Sequence, residues 1–447
     1  MTAPDSQLPE SRTMDLVANV DERPVTSAKL DGRTRRQAYL FIGALFFLTN
    51  FAAPHLGLVD VPVSFFLKNR LHLSANQTSL FRLIVAIPLI IGFVFGFARD
   101  SWNPFGHGDR AHLFIFAILT TLIYGTLAFL NPTYAILLVG VFLATVTYQM
   151  TSSVANGLTT ILGQENAMAG GLACASLIAA YLPQVIGYFL GGVLSNFLEG
   201  QNALVAARIL FLCAGSLMLI LALVGVLGPR PVFDAAEHTR TKSHFVHDLG
   251  RFARHWPVYP VIIIQILWQF SPATGTVLQY HLSNTLHGTD AQWGEWNAIF
   301  IGAFIPGLLV YAYVCRRVRL SWLLWCGFGV SVAQMVPLLF IKTANGALIA
   351  GGVLGVIGAF AQGALTDLSI RSAPRGLEGT MAMMFIACFY ISFRFGDLFG
   401  TALYDRYGFV VPVIATIVST ALILPVLLIV PKRLIETRDG EPLHLKG

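Results

Sequence analysis

Along most of its length the chain alternates long apolar runs with short polar clusters. A run of about 20 apolar residues crosses a bilayer as a helix. Twelve such spans can be drawn, over residues 38–66, 78–98, 111–130, 133–160, 168–197, 205–228, 257–283, 292–314, 320–341, 346–368, 377–403 and 408–431. Turn residues punctuate them: Asn131-Pro132 follows the third span, Gly228-Pro229 ends the sixth, and Pro431 ends the twelfth. The pattern predicts an all-α polytopic membrane protein with 12 transmembrane helices and no convincing strand.

Two polar stretches match at an offset of 215 residues. NRLHLSANQ (69–77) and NTLHGTDAQ (284–292) share the pattern N-x-L-H-x-[ST]-x-x-Q, after the first and seventh spans. The match divides the spans into six plus six, with the longest loop between. The expected organisation is an N-terminal tail (1–36), a six-helix half (37–228), a linker (229–256), a second six-helix half (257–431) and a C-terminal tail (432–447). Two parallel halves facing each other are the architecture of many secondary transporters.

Composition agrees with the pattern. The 447 residues are 55% hydrophobic and 12% charged, with a mean hydropathy of +0.68, against about 25% charged in a soluble domain. The N-terminal tail lacks the apolar core of a signal peptide, so the first span reads as a true helix. With the N-terminus inside, 22 of the 29 Lys and Arg fall in inner segments, which places both tails on the cytoplasmic side of the membrane, a bacterial inner membrane or a comparable one. The net charge of +6 then reports topology and contact with anionic lipid heads rather than nucleic-acid binding. The five cysteines lie in or beside apolar segments without CxxC spacing, and read as packing residues. There is no P-loop, no glycine-rich dinucleotide fingerprint and no legible catalytic triad. Neither enzyme activity nor a cofactor is expected. His244 and His247 in the linker have a weak metal spacing, but with His238, His255, Arg240, Lys242, Arg251 and Arg254 they read as a basic membrane-surface linker.

Polar groups inside spans are costly, so they mark protein contacts or a wet cavity. They gather away from spans 3, 6, 9 and 12: Asn50, His55 and Asp60 in span 1, Arg82 in span 2, Gln149 and Asn156 in span 4, Gln184 in span 5, Gln265, Gln269, Gln279 and His281 in span 7, Asn297 in span 8, Gln362 and Asp367 in span 10, and Arg394 with Asp397 in span 11. Arg394 and Asp397 are three residues apart on one helical face. Two readings stand for them. Arg394 could bind an anionic substrate group while Asp397 exchanges a coupling proton, or the two form a structural ion pair. Asp60 and Arg82 could pair across adjacent spans. Gly92/Gly96 and Gly396/Gly400 have the four-residue spacing that lets helices approach closely.

Four stretches resemble a known family: VSFFLKNRLHLSANQ (63–77), GFARDSWNPFGHGDR (96–110), LWQFSPATGTVLQYHLSN (267–284) and RSAPRGLEGTMA (371–382). Through them the chain resembles the major facilitator superfamily and, within it, the folate–biopterin transporter family, over roughly residues 38–430. The resemblance implies the superfamily's fold, with spans 3, 6, 9 and 12 facing lipid. It implies a gating loop in which Asp100 and Arg110 match the signature's acid and base, with Gly96 and Gly106 at close-approach or turn positions. It also implies a secondary transporter working by alternating access, with a small organic anion such as a folate or pterin as substrate. The chain departs from the family at Gly92-Phe93, where a Lys-Pro pair is usual, and in carrying Arg394 and Asp397. The aromatics, notably Tyr148, Trp268 and Tyr280, suit stacking on a flat heterocycle or an interfacial belt. Asp60, Asp367 and Asp397 are the candidates for proton coupling. The alternatives are an exporter or permease of another amphipathic anion, and a non-transporting assembly or receptor protein on the same fold.

Overall fold

The computed structural model describes residues 31–56, 58–60, 63, 66–73, 75–199, 203–233, 250, 253–288 and 290–441. The linker histidines 238, 244 and 247, most of the N-terminal tail and residues 442–447 lie outside the described residues. Hydrocarbon offers the backbone no partners, so a spanning chain must close its hydrogen bonds within each segment. Among the described residues every regular element is helical.

The first half contains α1 (Gly32–Phe51), α2 (Ala75–Ile90), α3 (Gly92–Ser101), α4 (Gly108–Phe129), α5 (Tyr134–Glu165), α6 (Ala169–Glu199) and α7 (Ala203–Leu227). The second contains α8 (Val258–Gln269), α9 (Thr276–Tyr280), α10 (Asp290–Val314), α11 (Leu320–Ala333), α12 (Ala344–Ser372), α13 (Glu378–Tyr407), α14 (Val410–Ala421) and α15 (Ile423–Leu427), followed by a short tail helix α16 (Lys432–Ile435). Among the described residues, ten helical stretches are long and apolar enough to cross a bilayer. With α1 and the broken pair α8/α9 they make the twelve passes expected from the sequence, and Tyr39 in α1 lies within electrostatic range of Asp439 in the C-terminal segment, at the same end.

The 215-residue repeat is written into the backbone. Each half ends its first pass in a five-residue π-helix, Phe66–Arg70 and His281–Thr285. The amide of Leu71 donates to Phe66 O at 3.2 Å and that of Leu286 to His281 O at 3.1 Å. The motif histidines His72 and His287 both take the left-handed conformation, with φ of 52° and 53°. Such angles are uncommon outside glycine, so the shared motif marks the same turn built twice.

Local chemistry sets the boundaries. Thr133 and Thr343 cap α5 and α12 by accepting from Ile136 N and Gly346 N at 3.3 and 3.1 Å. Pro88 and a break at Ile91 divide the second pass into α2 and α3. Where a pass breaks, neighbours supply partners: Tyr124 donates to Ala52 O at 2.7 Å after α1, and Ser419 to Leu267 O at 2.8 Å near the end of α8.

Each half has its own core. The largest cluster runs from Ala38 to Phe233; a second is built mainly from the second half but takes in Phe97 and Cys174 of the first, and a third lies within the second half. Passes 3, 6, 9 and 12 pack principally within their own half and expose residues such as Leu122, Leu223, Trp322 and Val418. The halves meet through α2, α3, α5 and α6 on one side and α10, α12 and α13 on the other.

Candidate functional site

Hydrogen bonds between the halves cluster at the end that carries both tails. The first set grows from the end of α3. Arg99 is 2% exposed and holds two carboxylates, donating through Nε to Asp109 Oδ1 and through Nη1 to Asp100 Oδ1, both at 2.8 Å, with a second bond from Nη2 to Asp109. Asp100 then reaches across to the first turn of α13. It accepts from Gly379 N at 3.3 Å, and from Thr380 N and Thr380 Oγ1 at 2.7 Å each. A helix N-terminus carries unsatisfied amides and a partial positive charge, which suits a carboxylate. Gly96, one turn before Asp100, makes the approach possible: a Cβ there would lie 2.6 Å from Gly379 O and from Thr380 Cα. Gly157 performs the same service for the guanidinium, since its Cβ would lie 2.6 Å from Arg99 Cζ.

A second set joins the C-terminal tail to the first half. Arg371, at the end of α12, donates to Asp367 through Nε at 2.7 Å and Nη2 at 3.2 Å, and through Nη1 to Thr437 Oγ1 at 2.8 Å. Asp439 accepts from Gly170 N and Gly171 N at 3.0 and 3.1 Å, in the first turn of α6. Between the two sets, Gln164 Nε2 donates to Ile370 O at 2.8 Å and Ala373 O at 2.7 Å. The tail end is thus closed by polar groups, beside an apolar contact of Ala169 and Ala173 with Ile370.

Nearer the far end the polar groups differ. Arg82 Nη2 lies 3.4 Å from Asp60 Oδ2, and both side chains are partly exposed. Asp60 is also within electrostatic range of Arg394 from the second half. An aromatic group lies alongside: His55 meets Tyr148 and Tyr390 edge-on at ring separations of 5.1 and 5.9 Å, so it touches both halves. Tyr188 of α6 feels the charges of Asp60 and Arg82.

The structure separates several candidates that lie close together in the sequence. Arg394 and Asp397 do not pair. Asp397 accepts from Thr276 N and Thr276 Oγ1 at 2.7 Å each and caps α9, while the exposed Arg394 is within electrostatic range of Asp60. The reason is a crossing: Gly396 and Gly400 press α13 onto the break between α8 and α9, at Ser271 and Pro272, and put Asp397 within reach of the new helix start. Arg110, matched to the signature's base, is held apart from Asp100. It donates to Gly228 O at 3.2 Å and lies over the Phe233 ring at 4.5 Å, while the preceding turn gives Arg99 the buried position. Asp367, at the end of the tenth pass, lies at the tail end, bonded to Arg371 and Tyr311.

The glutamines divide. Gln269 Nε2 and Trp268 Nε1 both donate to Gln362 Oε1, at 3.3 and 2.8 Å, forming one group inside the second half. Gln265 donates to Phe385 O and Gln149 to Pro88 O, both at 3.1 Å, so each is attached to a neighbouring backbone. Gly106 is a turn position, with φ of 72°. The sequence reading missed Arg99, Asp109, Arg371 and Asp439 as a set. A charge beside a span reads as ordinary loop composition, although the order Arg99-Asp100 followed by Asp109 was visible. Tyr390 was hidden in an apolar run.

A major facilitator superfamily protein, the proton:xylose symporter XylE bound to 6-bromo-6-deoxy-D-glucose, superposes with a TM-score of 0.66 at 14% identity, covering 91% of this chain and 97% of that one. The transporter FucP in its outward conformation gives a TM-score of 0.68 at 16% identity, covering 88% and 98%. A variant of the E. coli fucose:proton symporter FucP gives 0.65 at 17% identity over the same shares. At these identities the likeness shows the fold. No curated protein matches the sequence. The family model described as BT1 family matches residues 55–443, across both halves and the docked tail. The chain therefore belongs to the BT1 family and is a membrane transporter of the major facilitator fold.

Proposed function

We propose that this transporter carries a small organic anion by alternating access, with folates and pterins the first candidates. The observation that carries the reading is the group formed by Arg82, Asp60 and Arg394. Two cations drawn from opposite halves share one carboxylate partner within electrostatic range. Charges at this depth are expensive and point to a substrate or ion path. The aromatic group of His55, Tyr148 and Tyr390 beside them suits a flat ring carrying a carboxylate. An anion bound between Arg82 and Arg394 would draw the halves together, and its release would free them to rock about the site. The closed tail end supports a state open toward the far side.

Proton coupling is part of the proposal. XylE and FucP are named as proton symporters, and Asp60 is the acid that lies beside Arg82 and within electrostatic range of Arg394 of the other half. Protonating it would loosen its hold on Arg82 and leave the arginine to the substrate. Both tails belong on the cytoplasmic side of a bacterial inner membrane by the distribution of basic residues.

The test is uptake of labelled folate or pterin into proteoliposomes, with and without a pH gradient. Saturable, protein-dependent flux that is lost in Arg394→Ala, with unchanged thermal stability, is the expected result. Absence of flux under both conditions sinks the substrate assignment. Flux that ignores Arg394→Ala sinks the site.

A further inference from the structure

We propose that Asp439, in the C-terminal tail, is a second gating acid of the transporter, the counterpart in the second half of Asp100 in the first. The two tail-end sets have the same chemical plan. In each, a buried arginine binds a buried aspartate: Arg99 with Asp109, and Arg371 with Asp367. In each, another aspartate crosses to the opposite half and accepts from two consecutive amides in the first turn of a helix. Asp100 of the first half takes Gly379 and Thr380 of α13, and Asp439 of the second half takes Gly170 and Gly171 of α6. The helices so held, α6 and α13, are the fifth pass of each half.

The source of the second acid differs. In the first half the acid sits on the second pass itself. In the second half the corresponding position is the end of α10, where the chain reads Cys315-Arg316-Arg317 and offers no carboxylate. The tail fills that place. Asp439 N donates to Cys315 O at 3.1 Å, and Leu320 N donates to Thr437 O at 3.3 Å, so the tail is bound where α10 turns into α11. Gly440 N then donates to Ala167 O at 2.6 Å in the first half. Asp439 is 7% exposed. The tail is therefore a part of the moving contact. Opening the tail end must break the bonds from Gly170 and Gly171 while the tail stays with the second half through Arg371 and Cys315.

This proposal rests on the alternating-access reading, and the test separates the two. Spin labels at Phe105→Cys and Arg319→Cys, with exposed Cys213 and Cys326 replaced, report the separation of the halves at the tail end of the full chain in lipid nanodiscs at pH 7. Asp439→Ala is expected to raise the tail-open population at least tenfold, as Asp100→Ala does. If Asp100→Ala shifts the distances and Asp439→Ala lowers only the melting temperature, the second gate is refuted and alternating access stands. If neither variant shifts them, alternating access at this end is refuted and the gate with it. Should Asp439→Ala fail to fold, hydrogen exchange of the unmutated chain decides. Segments 167–173 and 376–381 are expected to lose protection together, in one opening event. Exchange at 376–381 while 167–173 stays protected overturns the proposal.

Discussion

Replacing Gly96 with alanine should open the tail end without unfolding the protein. The added Cβ would lie 2.6 Å from Gly379 O and Thr380 Cα and 2.8 Å from Thr380 N, all backbone atoms. Real Cβ contacts essentially never fall below 3.0 Å, so the first turn of α13 must retreat by at least 0.4 Å. That retreat lengthens the bonds from Gly379 N and Thr380 N to Asp100. Overpacking of this kind costs roughly 1–3 kcal/mol. The cost falls only on the state in which α3 touches α13, so it changes the balance between states rather than the stability of either half. A difference of that size is a shift of about 5- to 150-fold in population. The assay is maleimide labelling of Ala173→Cys, which is fully buried in the contact with Ile370, on a background lacking Cys213 and Cys326. Labelling should accelerate by that factor in Gly96→Ala. Gly125→Ala, where a Cβ meets nothing within 4 Å, should leave it unchanged. An unchanged labelling rate in Gly96→Ala, with normal folding, would refute the argument that this glycine sets the closed state.

Other outcomes follow from the same geometry. Asp397→Ala removes the cap of α9 and should cost about 0.5–2 kcal/mol, seen as a lower melting temperature. Combined with Arg394→Ala it should be additive, since the two side chains do not pair. Asp367→Ala leaves Arg371 buried beside Asp439 alone and should destabilise by about 3–5 kcal/mol in chemical or thermal unfolding. The Asp439 carboxyl is raised by burial and by the charge of Asp367, against Arg371 and the amides of Gly170 and Gly171, from 3.8 to about 6. Tyr39, Cys174, Cys315 and Arg316 also face this site. A raised value means that the docked tail holds the proton more tightly than the released tail. The part of docking that depends on this proton is complete below about pH 4 and is lost as pH rises through 6, while the bonds from Gly170 N and Gly171 N to the ionised carboxylate remain. Tail release, followed by limited proteolysis, should therefore increase between pH 4 and 7, and Asp439→Asn should flatten that dependence.

Much of this molecule was legible along the chain. Apolar runs state which segments must close their own hydrogen bonds, so the twelve passes and the two halves followed from pattern alone. The repeated N-x-L-H stretch identified equivalent turns because a local sequence determines a local backbone, and His72 and His287 adopt the same unusual conformation. Close packing at Gly396 and Gly400 was also readable from spacing. The partners of charged groups were not. Whether Arg394 meets Asp397 or Asp60 depends on how α13 crosses the break in the seventh pass. Arg99 rather than Arg110 is buried because α5 offers Gly157 opposite it. Asp100 finds its amides 280 residues away, and Asp439 finds its own in the other half. Periodicity and punctuation act over a few turns of chain, and the sequence alone determined what acts at that range. Desolvated charges are settled by whichever distant donor the packed helices bring within 3 Å, and only the tertiary structure could decide that.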